Sequence, residues 1–300
     1  MAIDGRGASL LTRLLEAATS AERVVYVWRN VRCASSRRDL GSGAGVVTTF
    51  DSWCLKAALT SVAAHKIGTL DSHDDVTGAA LMAAKLPDAY ADTTALALIA
   101  EKYGKPGVAA FLRDRLPTKK TARSGDMGEI LATAYLDEER GYVVGPSRLI
   151  DRDHQEWAMR GDDVLAARID DDSELHLVKA EAKSRVSLGK ATVKAAREGL
   201  ARNDEMPSPH SLSQFATRLL QTTDREIGEA VIDVQLADGV RPHHVGHLMF
   251  LLTSGDPSAH VSADLKAYTG AVPQLTVTLR VQDHQKFIRE AYDQVVAGVP

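Results

Sequence analysis

Residues Arg160–Arg185 read RGDDVLAARIDDDSELHLVKAEAKSR, and the alternation inside this stretch decides the fold. Val164–Ile169 and Leu175–Ala182 are two mostly apolar runs joined by the acidic turn Asp170–Glu174, which predicts a β-hairpin. In the second run Leu175, Leu177, Lys179, Glu181 and Lys183 fall on one face, and His176, Val178, Ala180 and Ala182 on the other. Glu181 and Lys183 therefore emerge together, roughly 6–7 Å apart along the strand. An acid and a base side by side at the end of an apolar strand suit a cation and a water better than a core. A hard divalent ion, Mg²⁺ or Mn²⁺, takes oxygen ligands, and Asp163 at the start of the first strand supplies a second carboxylate. Asp162 is the alternative ligand; Asp163 is preferred because Val164 and Leu165 follow it directly as strand. The competing account is an exposed ion pair on an edge strand, with the two aspartates merely ending a turn.

Upstream, Met127–Glu138 is predicted as a helix whose apolar side carries Ile130, Leu131, Ala134, Tyr135 and Leu136. Glu129 projects near that side and is a fourth candidate for the site. Equally, Asp126 as N-cap with Glu129 three residues on would be a capping box. Downstream, Val186–Ala201 reads as a basic helix. From Lys183 to Arg202 six basic residues face one acidic residue, Glu198. Lys190, Lys194 and Arg197 lie at i, i+4 and i+7, and with Arg185 they form a candidate surface for a phosphate backbone; a solvated helix face is the alternative. A helix over Ser211–Leu220, strands over Val245–Leu252 and Leu275–Val281, and an amphipathic helix over Asp283–Val296 complete a mixed α/β arrangement.

Residues 1–118 read as a mainly helical region. It holds a helix at Leu10–Ala18, a strand at Val24–Trp28, a basic Gly/Ser-rich stretch to Gly45, and a helix over Asp51–Ala64. Val76–Tyr103 has helix composition broken at Pro87, and a short helix runs from Gly104 to Leu116 with Pro106 near its start. Arg29, Arg32, Arg37 and Arg38 form a basic run best read as a surface loop. The polar stretch Pro117–Ser124 predicts a linker, dividing the chain into 1–118 and 119–300.

The 300 residues are 44% hydrophobic and 25% charged, an ordinary globular composition with length enough for an unstapled core. Two cysteines give no disulfide framework and no Cys-rich zinc module. The N-terminal residues lack the pattern of a signal peptide and no apolar run reaches ~18 residues, so a cytoplasmic protein without a membrane span is expected. The net charge of −4 requires any nucleic-acid surface to be local. LGKAT at Leu188–Thr192 fails as a phosphate loop, because Ser184 replaces the first glycine and Ala191 follows the lysine. His243, His244 and His247 lack partners to complete a zinc site. No GxSxG is present, so a serine hydrolase has no support.

The order helix-Glu, GDDV strand, then EAKS closing the next strand resembles the PD-(D/E)xK nuclease superfamily. More narrowly, MRGDDVL, KAEAKSR and PSPHSLSQFATRLL resemble HamA, the nuclease subunit of Hachiman-type anti-phage defence systems. The resemblance implies a restriction-endonuclease-like core, with a mixed sheet flanked by helices. It implies Mg²⁺- or Mn²⁺-dependent hydrolysis of DNA, with Asp163 and Glu181 as metal-binding acids, Lys183 as the motif lysine and Glu129 as the helix glutamate. It also implies a superfamily 2 helicase partner, for which residues 1–118 are the expected contact. A member that binds nucleic acid or assembles without cutting is the alternative. Gly161 stands where the superfamily has proline, and the paired aspartates leave Asp162 in contention.

Overall fold

Short polar strands, rather than a helix, follow the first described turn. The computed structural model describes residues 49–151, 155–156, 161–237 and 239–298. β1 (Cys54–Lys56) and β2 (Thr60–Val62) both pair antiparallel with β3 (His65–Ser72). The helix expected over Asp51–Ala64 is therefore absent. Its alanines suggested helix, but β-branched Thr60 and Val62 line a strand, and Ala63 turns the chain with φ of 52°. The helix at Leu10–Ala18, the strand at Val24–Trp28 and the basic run to Gly45 lie outside the described residues.

α1 (Asp75–Tyr90) begins at Asp74, whose carboxylate accepts the N–H groups of Val76 and Thr77, both at 3.1 Å. Pro87 sits within its last turns instead of breaking it. α2 (Thr93–Arg113) bends at Gly104, φ 63°, with Pro106 opening its second half, as the short helix predicted from Gly104 requires. α3 (Lys120–Ala134) overturns the linker expected at Pro117–Ser124. The helix starts six residues before Asp126, and the N–H groups of Thr118 and Lys119 reach the Glu156 carboxylate at 2.8 and 3.1 Å. Residues from both sides of position 119 contribute side chains to the largest buried cluster.

β4 (Val164–Ile169) and β5 (Leu175–Ser184) form the predicted hairpin, in register from Val164↔Ala180 to Ile169↔Leu175. After it come α4 (Lys190–Ala201), α5 (Pro209–Leu219), α6 (Arg225–Leu236), β6 (Val245–Thr253), α7 (Ser258–Ala267), β7 (Gln274–Arg280) and α8 (His284–Val296). The basic helix is shorter than expected, since Val186–Gly189 precede it as loop. Strand order is β1-β3-β7-β6-β5-β4, with β2 on β3. β3, β7, β6 and β5 run parallel and antiparallel pairs flank them. Helical crossovers are what parallel neighbours need, and α4–α6 and α7 supply them.

Each face of this mixed sheet is covered. Val178, Ala180, Phe250, Val277 and Leu279 meet α1, α3 and α8 in the largest core cluster. On the opposite face Met249 and Leu251 meet Val193, Ala196 and Leu200 of α4, while Leu175 and Leu177 meet Leu212, Phe215 and Leu219 of α5. The α/β class with a mixed sheet between helices is thus as read from the sequence. No helix among the described residues is long and apolar enough to cross a membrane.

Candidate functional site

The period-two geometry of β5 puts Glu181 and Lys183 side by side, and their carboxylate and ammonium form a short ion pair. α4 closes over Glu181 at Gly199. A Cβ there would stand 2.2 Å from Glu181 Oε2, so any larger residue would push the carboxylate out of this position. Across the hairpin, one residue beyond the Val164↔Ala180 pair, Asp163 comes opposite Glu181. Its Oδ2 accepts the Ala182 N–H at 3.0 Å, so the carboxylate takes the place of a ladder partner just before β4 begins. Gly161, φ 144°, turns the chain into this position. An added Cβ would meet Ser211 Oγ at 2.7 Å, which explains why a glycine stands there.

Glu129 faces this group from the third turn of α3. Asp126 lies inside that helix and is no N-cap, so the capping-box account of Glu129 fails. Asp126 instead accepts a short hydrogen bond from the buried Tyr90 hydroxyl. The partner of Glu129 is Arg148. Its Nε and Nη2 donate to Glu129 Oε2 and Oε1 at 2.8 and 2.7 Å, and the same Nη2 donates to Asp163 Oδ1 at 2.8 Å. Arg148 opens a short 3₁₀ turn, Arg148–Asp151. No sequence signal pointed to it: it stands 19 residues from Glu129 and 15 from Asp163, a spacing tied to no periodicity.

The electrostatics follow from three carboxyls gathered in a half-dry place. Burial pushes the Glu129 carboxyl up to about 8; Arg148 opposes that shift and the Asp163 charge adds to it. Burial also raises Glu181, the Asp163 charge raises it further, and Lys183 offsets part of the rise. Burial disfavours the Arg148 charge, yet Glu129 and then Asp163 hold the guanidinium well above its ordinary value. Beside the site opens a cleft lined by Glu129, Arg148, Asp163, Ser211, Gln214 and Arg218 among others.

Asp162 points elsewhere. Its Oδ2 accepts the Ser208 N–H at 2.8 Å, and its Oδ1 lies 3.7 Å from Lys179 Nζ. Lys179 is buried and donates to the carbonyls of Leu200, Arg202 and Met206 at 3.0, 2.7 and 3.0 Å. The pair closes the C-terminal end of α4 onto β5. Asp162 thus works with Lys179, while Asp163 meets Arg148 and the end of β5.

The expected phosphate-binding face divides. Lys190, Lys194 and Arg185 are exposed, with Lys194 paired to Glu198 at 2.9 Å and Arg185 donating to the Ser184 carbonyl at 3.0 Å. Arg197 turns inward, bonded to Asp264 at 2.7 Å and lying 3.9 Å over the Tyr268 ring. His247 is buried with Nε2 on the Glu205 carbonyl at 2.8 Å. The ligand atoms of Glu129, Asp163 and Glu181 do not all come within 4.8 Å of one another; among the described residues, Asp170, Glu174 and His176 at the hairpin turn do. The donor chemistry around Asp163 still suits a hard cation: the donors are carboxylate oxygens, and they already draw in the cationic side chains of Arg148 and Lys183.

Comparison with known proteins identifies the family. Residues 49–295 match the family model described as HamA. A curated relative from Bacillus cereus, described as "Hachiman protein HamA", is 25% identical over 177 residues, covering 59% of this chain and 62% of the relative. The chain therefore spans less than two thirds of that relative's length.

Proposed function

The chain belongs to the HamA family, and from that premise we propose that it is the nuclease subunit of a Hachiman-type anti-phage defence system, hydrolysing phosphodiester bonds in DNA with Mg²⁺ or Mn²⁺. The observation that supports this most is the shared placement of Glu181 and Lys183 on one face of β5 with Asp163 opposite, beneath a helix that keeps Gly199 clear for the Glu181 carboxylate. Asp163 and Glu181 would hold the metal, with Glu129 behind them. When bound, the ion supplies Lewis-acid polarisation of a phosphoryl oxygen and lowers the pKa of a bound water.

The chain's own groups do the rest. The Ala182 N–H fixes Asp163 Oδ2, so one acid is oriented before any substrate arrives. The Lys183 ammonium stands beside Glu181 at the strand end, placed to orient a water or to stabilise charge developing at phosphorus. Exposed Arg185, Lys190 and Lys194 supply local positive charge for a backbone that a net-negative chain would otherwise repel. A DNA-translocating partner of the superfamily 2 helicase class belongs to this reading.

Plasmid cleavage with Mg²⁺ tests the assignment: E181A and K183A should each abolish it while leaving the thermal unfolding transition in place. Undiminished cleavage by the folded E181A/K183A double variant would sink it. A second reading, a subunit that binds DNA without cutting, draws on Arg148 occupying both Glu129 and Asp163. That reading requires DNA binding that weakens steeply with salt and no hydrolysis under either ion.

A further inference from the structure

One nitrogen, Arg148 Nη2, stands between two carboxylate oxygens, Glu129 Oε1 at 2.7 Å and Asp163 Oδ1 at 2.8 Å. Asp163 Oδ2 already accepts the Ala182 N–H, so Oδ1 is the oxygen that a divalent ion shared with Glu181 would draw on, and Arg148 Nη2 holds that oxygen. The guanidinium is also tied by two parallel bonds to Glu129, the strong fork geometry for a carboxylate. Its charge meets two half-buried carboxyl groups at once.

The other members of the site are held differently. Asp163 keeps a second tie, through Oδ2 to the Ala182 N–H, so it stays placed if Arg148 departs. Glu181 is paired with Lys183 and does not bond Arg148. Arg148 comes from a four-residue 3₁₀ turn, not from the sheet or a long helix. That turn is anchored at the next residue, by buried Leu149 and by the Leu149 N–H on Ser147 Oγ at 3.1 Å. The backbone is therefore fixed while the long, flexible arginine stem carries the charge.

We propose that Arg148 is a built-in competitor of the divalent cation: its guanidinium holds Glu129 and Asp163 together, and metal enters only as it withdraws. This inference rests on the metal-dependent reading above. Arg148 is then a positioning residue that sets the metal concentration at which the site fills, and it gives the free chain a closed resting form.

Manganese titration of the full-length chain, followed by electron paramagnetic resonance of free Mn²⁺, tests this without measuring cleavage. R148Q removes the charge, and its Mn²⁺ affinity should rise about tenfold or more, equivalent to ~1.4 kcal/mol. R148K keeps a charge but loses the fork, and should fall between R148Q and the unaltered chain. D163N should bind weakly whatever stands at 148. If R148Q does not fold, R148K still must bind more tightly than the unaltered chain. Equal or weaker Mn²⁺ binding by folded R148Q or R148K, with D163N abolishing it, overturns the competition alone and leaves the metal site standing. No Mn²⁺ binding by any of these proteins overturns the metal-dependent reading and the competition with it.

Discussion

Gly199 on α4 and Glu181 on β5 occupy one another's space: a Cβ on the glycine would lie 2.2 Å from Glu181 Oε2 and 2.6 Å from Oε1. The clash falls on the far end of a flexible side chain rather than on backbone. In G199A the carboxylate should swing away from Lys183 while the helix keeps its place. Alanine also favours a helix interior over glycine by ~1 kcal/mol, so stability should change by less than about 1 kcal/mol. DNA cleavage should fall at least tenfold. A melting temperature that collapses together with activity would show that Gly199 serves packing and not the site.

Adjacent aspartates should behave differently. Asp162 bonds the Ser208 N–H and sits near Lys179, so D162N should cost about 1–2 kcal/mol of stability and leave Mn²⁺ affinity unchanged. D163N should remove Mn²⁺ binding with a smaller effect on unfolding. Urea denaturation paired with Mn²⁺ titration separates the two, and an exchange of these phenotypes would transfer the metal role to Asp162.

Lys179 is the buried cation on which the end of α4 depends. K179M keeps much of the volume but leaves three carbonyls, those of Leu200, Arg202 and Met206, without their donor. A loss of about 2–4 kcal/mol is expected, as for breaking a buried charged network. A urea midpoint within error of the unaltered chain would contradict this.

Acid should weaken the fold through His247. Burial pushes its imidazole down to about 4, against ~6.5 for an exposed histidine. Between those values the unfolded chain binds a proton that the folded chain refuses, so stability falls as pH drops from 6.5 toward 4. The loss is about 3 kcal/mol at most, at ~1.4 kcal/mol per pKa unit. His284 is lowered by burial as well and steepens the same limb. Urea unfolding across this window should show a shallower acid slope for H247Q. An NMR titration in which His247 protonates near 6.5 would remove the basis of the prediction.

The sequence made some of this legible for physical reasons. Apolar–polar alternation from Val178 to Lys183 is a strand signature, and it placed Glu181 beside Lys183 and located the hairpin. Continuous apolar runs gave β6 and β7, and Asp283 capping the Lys286 N–H at 3.0 Å began the last helix as expected. β3 was invisible: His65–Ser72 is half polar, and its strand character comes from pairing with β7, more than 200 residues away in sequence. The helix reading of Asp51–Ala64 failed because alanine content outweighed a hairpin that only β3 stabilises. Asp126 resembled an N-cap, but α3 begins earlier among basic residues that looked like a linker. Arg148 had no local signal, since ion pairs across loops follow tertiary structure alone.

In the proposed function Asp163 and Glu181 hold a divalent metal beside Lys183. Anomalous diffraction from crystals of the full-length protein soaked in Mn²⁺ tests this most directly. The account predicts a manganese peak within ~2.2 Å of an oxygen of Asp163 and of Glu181, with Arg148 turned away from Asp163. A manganese peak at Asp170, Glu174 and His176 with none between Asp163 and Glu181 would contradict it.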